Sequence, residues 1–489
     1  MKEQIFRLGK SSIIYGAGTM LTRFISLVLL PLFTSYLSPS DYGVLALLAL
    51  LAMVAQPVFG IGMSAAMGPS YFESNEPLRK SETIWTTFLI LVISVSILIV
   101  IAWIVPKTLS ILIAQTPKYA YFVSLTLTGS AFGILSTPFT QRIQFEEKAK
   151  TFVVITLLSS LISISLSILT VVTMRWGVEG MVTSQVVGQA ITFLMFFIMG
   201  VRGTRFIYSK KIMNELLRLG IPLIPGFAFT FILMQGNRYI LQLFSGVEQV
   251  GIFSIGFNIG LVLNLAVGAV GTAWYPFFMS YMERQQEATI LFGRIFTYYI
   301  FLFGVLCMLF FVGSKLVITV LTQPAFHDAY MVVGFSASAI FFTGIFNMLL
   351  PGIYFKKEIR YVSVVQGLAA VISIGLNIIL IKWAGFFGAG IALSLGHLLM
   401  AVFLYLWNIY RKNDYIRIKY EGLRLAKFLF LFVFIIVSSF LDRGANLWIE
   451  LGYITILICI ISISLYLLLN KNELVFIKEK LFLFKSIKA

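Results

Sequence analysis

The chain has 489 residues, 59% of them hydrophobic and only 12% charged, where a soluble domain carries about a quarter charged residues. That composition, with a mean hydropathy of +0.95, excludes a soluble globular protein: apolar stretches of about 18 or more residues recur from end to end, each long enough to cross a ~30 Å hydrocarbon core as a helix. The alternating segments of about ten residues that build membrane β-barrels are absent, and the net charge of +17 is accounted for by where the basic residues fall.

Fourteen spans are predicted in chain order, at 12–37, 42–67, 84–105, 120–140, 152–173, 178–200, 221–244, 250–273, 293–313, 329–351, 361–381, 386–409, 426–441 and 449–469. The first apolar segment is too long for the h-region of a secretory signal and lacks a small-residue cleavage site, so it is expected to stay as a span. Cys307 and Cys459 both fall inside predicted spans and read as small core residues. With the N-terminus in the cytoplasm, 29 Lys and Arg lie in the N-terminal tail, the even-numbered turns and the C-terminal tail. Six lie on the opposite side: Lys107, Lys118, Arg175, Lys315, Lys382 and Arg443. This positive-inside asymmetry places both termini in the cytoplasm and supports an even number of spans. The basic loops then serve topology and anionic lipid, and no nucleic-acid partner is expected.

An internal repeat is visible. "IQFEEKAKTF" (143–152) stands against "IYFKKEIRYV" (353–362), and "LISISLSI" (161–168) against "VISIGLNI" (371–378), both at an offset of 210. A little further on, Trp176, Gly177 and Gly180 face Trp383, Gly385 and Gly388 at offsets of 207 and 208. "YLSPSDYGVL" (36–45) likewise resembles "LFSGVEQVGIF" (243–253). Six spans per copy is an even number, so the copies run in the same sense, as in transporters built of parallel halves. The expected fold is therefore an all-α polytopic membrane protein. Residues 1–210 and 211–424 form two parallel six-helix lobes around a central cleft, and 425–489 adds two helices and a cytoplasmic tail.

Two arginines interrupt this apolar pattern. Arg23 lies near the middle of the first span and Arg238 in the outer part of the seventh. A charge at bilayer depth costs at least ~2.5–3.5 kcal/mol, so such a residue faces a cavity or a partner. The acidic residues fall in loops, tails or span ends; two buried cations without an internal carboxylate suit an anionic ligand, and the guanidinium fork suits phosphate or pyrophosphate. Snorkelling of Arg238, or backbone carbonyls as partners for either arginine, is the competing account. Gln235, Arg238 and Gln242 share one helix face, with Asn237 beside them, forming a polar stripe that should not face lipid. Gln56, Gln185, Gln189, Asn258, Asn264, Asn347, Gln366 and Asn377 also lie at helix depth, where single polar residues are more often interhelical glue. His397 is open to a proton-relay role or, more commonly, to burial as a neutral ring. Pro31, Pro57, Pro222, Pro225, Pro276 and Pro351 are candidate hinges. "RLGKSS" (7–12) has Gln4 where the first glycine of a phosphate-binding loop would stand. No Asp-x-Asp pair and no His/Cys cluster suggests a metal, and no cofactor is expected.

Residues 11–45, "SSIIYGAGTMLTRFISLVLLPLFTSYLSPSDYGVL", resemble the opening of the polysaccharide-biosynthesis flippases (Wzx type) of the MOP superfamily. In that family a span-1 arginine precedes a Leu-x-Pro-x-Asp/Glu-Tyr/Phe-Gly turn, matched by Arg23 and "LSPSDYG" (37–43). The span-7 segment is similar to the family's Asp-Arg pair, with Asn237 where the acid is common, which speaks against Asp-dependent ion coupling there. The "GVEG" (177–180) and "GFFG" (385–388) turns and the span count also fit. The resemblance implies a non-enzymatic flippase of the bacterial plasma membrane that moves undecaprenyl-pyrophosphate-linked oligosaccharide to the outer leaflet. Arg23 and Arg238 would engage the pyrophosphate, with Gln235, Asn237 and Gln242 as neutral partners. Glycan polymerase or glycosyltransferases of the same pathway are the expected protein partners, and Tyr15, Tyr239 and Trp274 are candidates for stacking sugars. The alternatives are a lipid II flippase or a cation-coupled drug antiporter of the same superfamily; the antiporter should carry a carboxylate deep in a lobe.

The orientation is directly testable. With Cys307 and Cys459 replaced, Lys118→Cys is expected to react with a membrane-impermeant maleimide in intact cells, and Lys210→Cys only after permeabilisation. The reverse labelling pattern overturns the topology.

Overall fold

The computed structural model describes residues 20–22, 24–74, 76–356, 358, 360–411, 418–441 and 447–468. The α-helices of seven or more residues, in chain order, are α1 (Leu30–Tyr36), α2 (Pro39–Phe59), α3 (Met63–Phe72), α4 (Pro77–Ile104), α5 (Pro106–Ala114), α6 (Ala120–Phe145), α7 (Ala149–Ser167), α8 (Gly177–Val201), α9 (Lys210–Gly220), α10 (Ile224–Gly260), α11 (Leu263–Met279), α12 (Gln285–Leu321), α13 (Tyr330–Met348), α14 (Arg360–Tyr410), α15 (Gly422–Ser439) and α16 (Leu447–Leu468). No strand occurs among the described residues. Eleven helical segments there are long and apolar enough to cross a membrane, against fourteen expected. The difference has a local origin. Predicted span 221–244 and the start of 250–273 run together in α10 across Gly246 (φ 83°, ψ 175°). Spans 361–381 and 386–409 run together in α14 across Ala384 and Gly385. The first part of span 12–37, residues 12–19 with Tyr15, and Arg23 lie outside the described residues.

The chain forms two compact units. The first comprises Met1–Ile255, Thr319–Ala329 and Gln366–Leu393; the second Gly256–Ile318, Tyr330–Val365 and Ser394–Ala489. In the first unit α6 is the central helix, packed along α8 and α4 with α2 beside it. Met67, Tyr71, Ile84, Phe139, Ile143, Ile155 and Phe196 form its buried cluster. α9 is amphipathic: Ile212, Leu216 and Gly220 are buried, while Lys210, Lys211 and Arg218 are exposed. Arg79 ties α9 to α4 by donating to Glu215 at 2.9 Å. In the second unit α11 packs on α13, and Ser338 hydrogen-bonds Ser394 at 2.6 Å. Also in that unit, Arg424 donates to the Leu468 carbonyl at the end of α16 (3.0 Å), while Tyr453 donates to the Ser438 carbonyl in α15 (3.0 Å).

The "SPSDYG" turn is a helix start. Ser38 Oγ accepts from the Asp41 N–H (3.2 Å) and Asp41 Oδ2 accepts from the Ser38 N–H (2.9 Å). This reciprocal cap satisfies two orphan donors and sets a carboxylate at the positive end of α2. Pro39 occupies the first turn, where a proline loses no helical hydrogen bond. Four residues after Pro39 comes Gly43, and four residues after Val247 comes Gly251. A Cβ on Gly43 would lie 1.9 Å from the Val247 carbonyl oxygen, and one on Gly251 1.8 Å from that of Pro39. The two helix starts therefore cross in direct backbone contact, each glycine opposite the other's first turn. The "GVEG" and "GFFG" turns also share a positive φ at their first glycine, 56° at Gly177 and 54° at Gly385.

Gly43→Ala and Gly251→Ala each force a methyl onto a carbonyl that cannot swing aside, and are expected to cost about 1–3 kcal/mol or more. Gly375→Ala, with nothing within 4 Å, should be neutral or stabilise by up to about 1 kcal/mol. Melting temperatures of the detergent-solubilised variants check the contrast.

Candidate functional site

The first unit holds a partly open cavity of about 470 Å³. Met53, Gln56 and Pro57 of α2, Gly60 and Gly62, Ser64 of α3 and Thr137 of α6 form one side; Phe227, Thr230, Phe231, Met234 and Gln235 of α10 form the other. The α10 residues recur at three-and-four spacing and so share one helix face. Pro57, inside α2, has no N–H for the Met53 carbonyl one turn back. Just beyond Phe59, the last residue of α2, the chain breaks: Ile61 (φ 49°) and Gly62 (φ 63°) are left-handed in succession. A β-branched residue in the left-handed region is strained by about 1–3 kcal/mol. The break is braced by α9: a Cβ on Gly62 would lie 2.3 Å from the Gly220 carbonyl oxygen, and one on Gly220 2.4 Å from that of Ile61.

Of the residues expected at a binding site, Gln235 lines this cavity. Its side chain is 6% exposed, and among the described residues its Oε1 has no hydrogen-bond partner. Asn237, Arg238 and Gln242 are buried and are not among the lining residues. Asn237 Oδ1 accepts from the Arg238 backbone N–H at 2.8 Å. Gln242 Nε2 donates to the Ala114 carbonyl at 3.3 Å, answering one of the orphan acceptors at the end of α5. Arg23 lies outside the described residues. Trp274 is buried in the second unit, where its Nε1 donates to the Asn347 carbonyl at 3.1 Å; His397 is buried there as well. Sequence reasoning did not single out Ser64, Thr137, Phe227, Thr230 or Phe231. The signal for the α10 members was the 227-230-231-234-235 spacing, which continues the face already marked by Gln235 and Arg238.

Residues 8–282, more than half of the chain, match the family described as polysaccharide biosynthesis protein, and the chain belongs to that family. An uncharacterized membrane protein of Methanocaldococcus jannaschii is 23% identical over 208 residues, 41% of this chain. The chain spans 40% of the length of that curated relative. Among solved structures, the lipid II flippase MurJ in an inward closed conformation superposes with a TM-score of 0.70 at 17% identity, covering 93% of this chain and 99% of that one. An inward-facing multidrug resistance MATE family transporter of the MOP superfamily gives a TM-score of 0.67 at 14% identity, covering 82% and 97%. The fold is thus that of a multi-pass membrane protein of the MATE and MurJ type.

Gln242→Leu removes the bond to Ala114 and is expected to lower stability by about 0.5–1.5 kcal/mol, read as a drop in melting temperature. An unchanged melting temperature would show that this bond contributes nothing to holding α10 against α5.

Proposed function

We propose that the protein is a flippase that carries undecaprenyl-pyrophosphate-linked oligosaccharide from the cytoplasmic to the outer leaflet of the bacterial plasma membrane by alternating access. The two repeat-related lobes, 1–210 and 211–424, act as its moving halves, and 425–489 is an appendage. The observation that carries this reading is α10 itself. One face presents neutral polar and aromatic residues to a cavity and, three residues beyond Gln235, a buried arginine. Its guanidinium is a planar donor fork, and a pyrophosphate matches that geometry.

With both termini in the cytoplasm, as proposed, the Gly43–Gly251 crossing lies at the outer ends of its helices and the cavity nearer their inner ends. That is the arrangement of a carrier open toward the cytoplasm. Arg23 and Arg238 engage the pyrophosphate as the halves rearrange, and Gln242, bonded to the Ala114 carbonyl, holds α10 in place. Membership of the polysaccharide biosynthesis family supports a glycan headgroup. A second reading, with lipid II as the substrate, is favoured by the extent of the superposition on MurJ.

The test is a leaflet assay of lipid-linked glycans in cells depleted of the protein, complemented with wild type, Arg23→Ala or Arg238→Ala at matched membrane levels. The oligosaccharide-linked lipid is expected to accumulate on the cytoplasmic face, with each alanine variant at least about tenfold slower than wild type, a loss of ~1.4 kcal/mol. Accumulation of lipid II instead selects the second reading. Unchanged distribution of both lipids refutes the flippase assignment.

A further inference from the structure

We infer that the cavity beside α10 is a subsite for an uncharged sugar of the headgroup, and that Gln235 is a specificity-determining residue there. The inference rests on the flippase reading and divides its substrate between two places. Among the described residues the lining carries no ionisable side chain, so nothing in that wall answers the charge of a pyrophosphate. It carries instead Gln56, Thr137, Thr230 and Gln235, neutral groups that donate and accept as sugar hydroxyls do.

Phe227 and Phe231, one turn apart, supply aromatic surface to the same wall. The face of an aromatic ring is electron-rich and attracts positively polarised edges such as the C–H face of a sugar ring. The volume of about 470 Å³ falls within the ~300–1,000 Å³ of ligand pockets. Gln235 adds the directional element. Its side chain is more than nine-tenths buried, and its Oε1 has no partner among the described residues. Such an acceptor is costly while it stays unsatisfied. A lipid tail in the cavity would leave that cost standing, whereas a sugar hydroxyl toward which the amide turns would donate to Oε1 and remove it. Arg238, about 4.5 Å further along the helix axis, is not among the lining residues, so sugar and pyrophosphate are read by successive turns of one helix.

The experiment measures binding to the full-length protein in lipid nanodiscs. One probe is the lipid-linked oligosaccharide isolated from depleted cells; the other is undecaprenyl pyrophosphate without sugar. Gln235→Leu is expected to weaken binding of the glycosylated lipid about tenfold and to leave the sugar-free lipid unchanged. Thr230→Val, nearly isosteric, provides the same comparison if Gln235→Leu melts early. Equal weakening of both lipids, or no weakening of either, overturns the sugar subsite and leaves the flippase reading intact. Failure of the wild type to bind either lipid overturns both.

Discussion

Gly43 and Gly251 let two helix starts touch backbone to backbone, and much of the first unit is arranged around that contact. Each glycine stands at the same position of its helix, four residues past the first helical residue, and each meets the carbonyl of the other's first turn. Any side chain at either place would push the helices apart. The turn before α2 prepares the approach: Ser38 and Asp41 close the helix end, so its N–H groups do not compete for the neighbouring carbonyls. Gly246 performs the corresponding task before the second half of α10 by adopting an extended, positive-φ conformation. In the same turn Gln249 Oε1 accepts from the Phe386 N–H at 3.4 Å, joining the α14 turn to this crossing. Tyr42 packs edge-on against Phe326 at 5.3 Å. Close approach through small residues is how helices associate where lipid offers no hydrophobic gain.

From that crossing α2 leads to the strained break at Ile61 and Gly62, and the break leads to α9. Gly62 and Gly220 admit each other's backbone so closely that the cavity wall and the connecting helix cannot shift independently. Arg79 adds an ion pair between α4 and α9, although a partly exposed pair of this kind contributes only ~0–1 kcal/mol. Backbone contact, more than charge, fixes the wall.

Much of this was legible in the chain and some was not. Membrane character and the polar stripe on α10 follow from hydropathy and helical period, because lipid leaves few ways to satisfy a backbone or a charge. Span ends were harder. Leu78, Arg79 and Lys80 extend α4 toward the aqueous side, since a helix does not stop where its apolar stretch does. The break at Gly60–Gly62 was hidden because "GIG" within an apolar run reads as tolerated glycine. Gln242 and Gln235 look alike in sequence; only packing distinguishes the amide bonded to Ala114 from the one at the cavity. Phe227 and Phe231 read as ordinary apolar residues until the neighbours of α10 are known.

The first repeat keeps one further irregularity. Between α7 and Gly177 the chain passes through a π-helical segment, Ile168–Thr173, and a left-handed Arg175 (φ 58°), while the offset between the copies falls from 210 to 208. A π turn holds one more residue than an α turn, so part of the difference in length is taken up within the helix itself. Thr170 still donates to the Gly180 carbonyl at 3.0 Å, and Gly177 and Gly385 still share a positive φ. Part of the gap between the two halves therefore belongs inside a membrane helix, and an alignment that admits gaps only at loops will slide Trp176 and Gly177 off their counterparts.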